Sequence, residues 1–301
     1  MLVRILGSAA GGGFPQWNCG CPGCQAVRQG RAGTQPLTQS SIAVKSKDGP
    51  WFLVNASPDV RQQLGQLWEG QSDSVRFNPI AGVILTDAEI DHTTGLIILR
   101  ESSQPLRVYS TETVRKALTD GFGLLRTLEG YCGVEWSMLE PGAIASLEKG
   151  SHLEVEVFSL PGKPPKYMSQ QVEVGGCWNV GLTFRHSSGG IVTYAPALAS
   201  LEDKVLERFE SSDCILVDGT FWRDDELPSL GITTRTARAM GHLPLSGTDG
   251  SLQRLAQLNR PRKILVHINN SNPILIAGSP ERQMVEAAGI EVGYDGLTVE
   301  L

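Results

Sequence analysis

The chain has 301 residues, 41% of them hydrophobic and 19% charged, with Lys+Arg 26 against Asp+Glu 32 and a net charge of -6. This is the balance of a globular core under a solvated surface, which excludes a fibre or a disordered chain, and the lack of a basic stripe argues against a nucleic-acid partner. No apolar run approaches the roughly 20 residues of a membrane-spanning helix, and Met1–Gly7 reads as a strand entering glycines rather than a signal peptide, so the expected location is the cytoplasm.

After that first strand, short β-rich runs follow at Ser41–Lys45, Trp51–Asn55 and Ile80–Leu85, with a helix expected from about Asp59 to Trp68. Gly95–Arg100 reads as helical, Leu106–Tyr109 as extended, and Thr111–Phe122 as an amphipathic helix with Thr111 as its N-cap. Strands are expected near Leu153–Leu160, Gly181–Arg185 and Ile191–Tyr194, then a helix Leu201–Ser211 and a strand Cys214–Asp218. Lys263–Ile268 reads as a buried strand, Pro280–Ala288 as a helix and Gly296–Leu301 as a last strand. Pro161–Pro165 and Ser187–Gly190 read as turns rather than linkers, so the expectation is one layered α/β domain over residues 1–301.

Six cysteines in a chain with no export signal favour metal or free thiols over disulfides. Cys19, Cys21 and Cys24 crowd a Gly/Pro-rich loop that is able to turn three sulfurs toward one point, a donor set suited to a structural, tetrahedral Zn2+. The fourth ligand has to come from elsewhere: Cys132, Cys177, Cys214 or a histidine, with His242 in the tight Met240–Pro244 segment the favoured choice.

The richest segment is Val83–Leu96. A buried strand ends at Thr86, Asp87, Glu89, Asp91 and His92 follow, and a helix is expected to begin near Thr94. That places oxygen and nitrogen donors at the C-terminal end of a strand, where α/β folds carry their sites.

This segment resembles the His-x-His-x-Asp-His loop of the metallo-β-lactamase superfamily, with Asp87 and Glu89 in the places of the first two histidines and Asp91 and His92 matching. His267, in Leu265–Asn270, is similar to a later superfamily ligand. Two others fall in Pro161–Pro164 and Tyr194–Ala197 and are lost, so the resemblance implies the fold, a four-layer αββα sandwich, without the usual dinuclear zinc hydrolase centre. Asp91, His92 and His267 make two imidazoles and one carboxylate, the ligand set of Fe(II) oxygenases. Asp87 and Glu89 are left to complete that shell, to hydrogen-bond the imidazoles or to hold a substrate amine.

Within the superfamily, Ile5–Cys19, Thr86–Gly95, Tyr194–Ala197, Val217–Trp222, Met240–Pro244 and Val266–Ile274 resemble the family of coenzyme PQQ synthesis protein B over essentially the whole chain. That resemblance implies a step in making the quinone from a Glu-Tyr-derived precursor, with an iron-dependent hydroxylase as the first reading. A carrier that moves PQQ or its precursor toward the periplasm is the alternative. The phosphonate-metabolism phosphodiesterases, a related branch, share the cysteine loop, and by that likeness His242 closes the zinc. Asp218 and Trp222, with Arg223 beside them, are expected to line the ligand pocket, Asp213 is less clearly placed, and Gly11–Gly13 would let backbone approach a planar acidic ligand. His152 and His186 match no family ligand and read as structural or surface residues; assembly as a homo-oligomer is left open.

Overall fold

The computed structural model describes residues 1–68, 75–147, 152–168 and 176–301. In chain order the strands are β1 (Leu2–Gly7), β2 (Ser41–Lys45), β3 (Trp51–Val54), β4 (Ile80–Ile84), β5 (Leu106–Ser110), β6 (Val134–Met138), β7 (Ile144–Ser146) and β8 (Leu153–Leu160). They continue as β9 (Asn179–His186), β10 (Ile191–Ala195), β11 (Cys214–Asp218), β12 (Arg262–Val266), β13 (Glu291–Val292) and β14 (Thr298–Glu300). The helices that matter below are α1 (Pro22–Arg28), α2 (Val60–Gly65), α3 (Ile90–Thr93), α4 (Glu112–Lys116) and α5 (Asp203–Glu210).

Two compact units divide the chain. The first holds Met1–Gly7, Ser41–Gly189 and Gly296–Leu301; the second holds Ser8–Ser40 and Gly190–Asp295. In the first unit seven strands lie in the order β14-β1-β2-β3-β4-β5-β6, and β7, β8 and β9 form an antiparallel set. Every residue of β3 is buried, and Leu53, Val83, Leu85, Val108, Val114 and Leu118 pack into one apolar cluster. β8 alternates buried and more exposed residues along most of its length, the period of a strand with one face on a core.

The second unit is built on β10, β11, β12 and β13, all parallel. β11 is buried at all five positions, as an interior parallel strand covered on both faces has to be. Its register sets Asp218 opposite Val266, so the chain leaving β11 and the chain leaving β12 emerge side by side at the same sheet end. Asp213, at the opposite end of β11, accepts from Ile191 N and pairs with Arg260, which makes it a staple of the strand starts rather than a member of a pocket.

Two of the local differences from the sequence reading have physical causes. The helix expected over Thr111–Phe122 keeps its Thr111 cap, which accepts from Val114 N at 3.2 Å, but α4 gives way at Ala117–Gly121 to a wider π-type turn closed by Phe122 N on Ala117 O. Met168 Sδ packs so close to Gly121 that a Cβ there would sit 2.0 Å from it. The helix expected to begin near Thr94 begins at Ile90, because the Asp87 carboxylate already accepts from Glu89 N and so turns the chain. The helix around Asp59–Trp68 is the shorter α2, and Thr94–Glu101 is a 3₁₀ helix.

Candidate metal centres

In the first unit, β4 delivers Thr86 and Asp87 from its C-terminal end. Asn55, in left-handed backbone at φ 62, exchanges hydrogen bonds with Thr86, whose hydroxyl donates to Asp87 Oδ2 at 2.8 Å. Asp87 in turn accepts from His92 Nδ1, at 2.8 Å to Oδ1 and 2.7 Å to Oδ2. His92 is fixed from behind as well: Ala56 N donates to His92 O, and Gly95 N donates to Ala56 O. A Cβ on Gly95 would lie 2.1 Å from Ser57 O, so only glycine lets the turn after His92 close this tightly.

Burial works against charge on His92, but the Asp87 and Asp91 carboxylates outweigh it and raise its pKa to about 9. Burial opposes the Asp87 charge too, and His92 with the hydrogen bonds from Glu89 and Thr86 holds that carboxyl below its usual range. Asp87 is thereby spent on orienting His92. Asp91 Oδ2 lies 3.9 Å from His92 Nε2, and Glu89 is exposed.

The second unit brings Asp218, His242 and His267 together, with donor atoms all within 4.8 Å of one another. Asp218 ends β11 and its carboxylate accepts four hydrogen bonds: from Leu198 N at 2.7 Å, Thr220 N at 2.9 Å, Thr220 Oγ1 at 2.6 Å and His242 Nδ1 at 2.7 Å. His267 follows β12 directly, in left-handed backbone at φ 55, and its Nδ1 lies 2.9 Å from Thr220 Oγ1. The rings of His242 and His267 stack with centroids 5.2 Å apart. Burial disfavours the Asp218 charge, but the His242 and His267 rings and the Thr220 hydroxyl outweigh it and keep the carboxyl below the ordinary range.

An imidazole whose Nδ1–H is held by an oxygen carries its lone pair on Nε2, which is how proteins prepare a metal-ligating histidine. His92 on Asp87 and His242 on Asp218 both have this arrangement, and His267 on Thr220 repeats it with a hydroxyl. Two imidazoles with an adjacent carboxylate fit a divalent first-row metal. Asp218, with four donors on it, fits the orienting role better than direct ligation. Sequence reasoning missed Thr220; its only signal was its place two residues past a strand-ending aspartate.

The cysteine loop also lies in the second unit. Cys21 is extended, Pro22 opens α1, and Cys24 on that helix is wholly buried. A Cβ on Gly23 would come to 3.2 Å from the Phe14 ring and 3.3 Å from Asn270 O, so the loop sits close against the chain that follows β12. Arg28 donates to the carbonyls of Gln16 and Cys19 and closes the loop from outside. The three sulfurs fall within 4.8 Å of one another. The fourth group facing them is Asn270, whose Nδ2 lies 3.1 Å from Cys19 Sγ, 3.6 Å from Cys21 Sγ and 3.3 Å from Cys24 Sγ.

His242, expected to close this cluster, pairs instead with Asp218: it follows a left-handed Gly241 at the end of a short helix that turns it toward β11. Asn270 takes the corner because it stands three residues past His267, on a chain already fixed to the loop by Ala10 N on Ile268 O. Burial opposes ionisation of Cys19, yet the hydrogen bonds from Cys21, Cys24 and Asn270 lower its pKa, while burial pushes Cys21 up to about 12. A dication among the three sulfurs would offset the burial that opposes ionisation of Cys19 and Cys21. The donor set therefore fits zinc, and an amide turned over would present oxygen as its fourth donor.

Trp222, expected to line a pocket, is buried at 8% exposure with its backbone N on Glu226 Oε2, and Arg223 is exposed beside Asp225. Gly12 and Gly13 have φ 97 and 69 and serve the turn of their own loop, where a Cβ on Gly13 would meet Leu37 O at 3.3 Å. His152 and His186 face each other at strand ends of the first unit, with ring centroids 5.9 Å apart.

Residues 50–268 match the model of the beta-lactamase superfamily domain. Coenzyme PQQ synthesis protein B of Methylococcus capsulatus is 44% identical with both chains covered in full, and that of Nitrosococcus oceani is likewise 44% identical over 100% of each. The chain belongs to the coenzyme PQQ synthesis protein B family. A crystal structure of Zn2+-bound PqqB from Methylobacterium extorquens, 37% identical, superposes with a TM-score of 0.91 over 100% of both chains. The metallo-β-lactamase α/β fold expected from the sequence is thus the fold of the chain. No helix among the described residues is long and apolar enough to cross a membrane.

Proposed function

We propose that the chain acts in PQQ synthesis as an iron-dependent oxygenase that hydroxylates the tyrosine-derived ring of a Glu-Tyr-derived precursor, one atom of O2 entering the ring and the other leaving as water with two electrons and two protons from an external reductant. The observation that carries this is the treatment of His92, His242 and His267: each is buried or nearly so, and each has its Nδ1 held by a carboxylate or hydroxyl. Bound Fe(II) would supply the activation of O2; the chain's own residues orient the imidazoles and favour the ionised forms of Asp87 and Asp218. The iron-holding set read from the sequence, Asp91, His92 and His267, stands as part of this proposal, with Asp87 orienting His92 in the first unit and Asp218 orienting His242 in the second. Cys19, Cys21, Cys24 and Asn270 are proposed to hold a structural Zn2+, consistent with the zinc in the Methylobacterium extorquens relative.

One observation favours the carrier of PQQ or its precursor as a second reading. Asp87 stands where a hydrolase of the superfamily has a histidine and is fully engaged, and Glu89 in the next such place is exposed, so hydrolysis has lost its groups. Anaerobic Fe(II) reconstitution, a tyrosine-containing precursor peptide, a two-electron reductant such as ascorbate and then O2 separate the two. Ring hydroxylation by the wild type and its loss in His92→Ala and His267→Ala, with iron content lowered in both, supports the oxygenase. Tight binding of PQQ with no product moves the assignment to the carrier.

A further inference from the structure

Both clusters of the second unit meet on one short piece of chain. His267 faces Asp218 and His242, and Asn270, three residues later, faces the three cysteines. The piece between them is gripped from two directions. On the β11 side, Thr220 Oγ1 lies 2.8 Å from His267 O, Asn269 N donates to Thr220 O, and Asn272 Nδ2 donates to Gly219 O at 2.9 Å. On the cysteine-loop side, Ile268 N donates to Ser8 O and Ala10 N to Ile268 O, both at 2.8 Å, and Cys21 Sγ lies 3.5 Å from Asn270 O.

A third brace comes from Glu226, a buried carboxylate that the proposed reaction does not use. It accepts from Trp222 N at 2.7 Å and from Ser271 Oγ, and Ser271 Oγ accepts in turn from Asn269 Nδ2. Burial pushes its carboxyl above the usual range in spite of these hydrogen bonds. His267 holds φ 55, a conformation an L-residue keeps only when its surroundings over-determine it.

We infer that His267–Asn270 couples the two clusters: a divalent ion held by Cys19, Cys21 and Cys24 fixes Asn270, and so holds His267 in the backbone conformation in which it binds metal beside His242. Asn270 is the positioning residue. The inference rests on the reading of both clusters as metal sites. Its physical content is a reduced conformational tax: a loop already fixed at Asn270 no longer has to be ordered when the second ion binds, so the second affinity rises. Linkage makes the effect mutual, so metal on the histidines tightens the zinc by the same factor.

The test uses the full chain with its cysteine cluster either zinc-loaded or stripped by chelator, titrated with Mn2+ and followed by electron paramagnetic resonance. Mn2+ prefers oxygen and nitrogen donors, so it does not report on the thiols. Zinc loading is expected to tighten Mn2+ binding by about tenfold, within the usual range of coupling between sites. Asn270→Ala should abolish most of that difference and change the Mn2+ line shape, and Asn270→Asp, which keeps an oxygen at the corner, should restore it. Equal Mn2+ affinity in loaded and stripped wild type, with circular dichroism showing both folded, overturns the coupling even if the Asn270 variants fail to fold. Failure of Mn2+ to bind either form, or binding that His267→Ala leaves intact, overturns the metal reading beneath it as well, and so is distinguished from failure of the coupling alone.

Discussion

Replacing Asp218 with alanine removes the group on which the second unit's strand end is built. The carboxylate accepts four hydrogen bonds, two from the backbone amides of Leu198 and Thr220 and two from Thr220 Oγ1 and His242 Nδ1, and its residue is 2% exposed. Each buried donor left without an acceptor costs about 1–3 kcal/mol, and the two hydroxyl and imidazole donors are free to turn to other acceptors while the two amides are not. Against this stands the relief of removing a buried charge, which burial already disfavours here. The net loss expected is about 3–5 kcal/mol, the range for breaking one side of a buried charged pair. Urea unfolding should show a lower midpoint at unchanged slope, and metal analysis should show the histidine-bound metal lost while zinc stays on the cysteines. A loss below about 1 kcal/mol, or full retention of both metals, would refute the account of Asp218 as the residue that orients His242 and Thr220.

Cys21→Ser should release zinc from the loop and lower the thermal midpoint by roughly 2–4 °C for each kcal/mol lost; unchanged zinc content and midpoint would sink the structural-zinc reading. Asp295 accepts from the backbone N and hydroxyl of both Ser8 and Thr38 and so ties the segment leading to the cysteines to the end of the second unit. Burial raises its carboxyl above the ordinary value despite those donors, so the folded protein holds the proton longer than the unfolded chain does. Its contribution is therefore full below the unfolded pKa and declines as pH rises through the raised one. The stability gap between wild type and Asp295→Ala, measured in urea, should shrink from acid toward neutral pH, and a gap that widens contradicts this sign. One domain over residues 1–301 predicts a single calorimetric transition, and two separated ones would contradict it.

What the sequence made legible was local. β8 and β11 have the bounds expected of them because alternation in one and an unbroken apolar run in the other are written in consecutive residues. The Thr111 cap likewise needs only the next three residues. The short β6, β7 and β13 were not foreseen: β13 is two residues long, paired to β12 and tied by Arg262 on Glu291, and nothing in its own residues announces that partner. The donors His92, His267 and the three cysteines were legible as residue types in characteristic company. Their partners were not, because Asp218 reaches His242 across 24 positions and Asn270 reaches Cys19 across 251, distances over which sequence carries no geometry.

The proposed activity is insertion of one oxygen atom of O2 into a tyrosine-derived ring, with metal held by the histidines of this chain. The most direct measurement is mass analysis of the product formed by Fe(II)-loaded protein from a precursor peptide and a two-electron reductant under isotopically heavy O2, with ordinary water as solvent. The account predicts a ring carrying the heavy oxygen, absent without iron and absent in His267→Ala. Heavy oxygen missing from a product that nevertheless forms, or no product beside tight binding of the quinone, would contradict it.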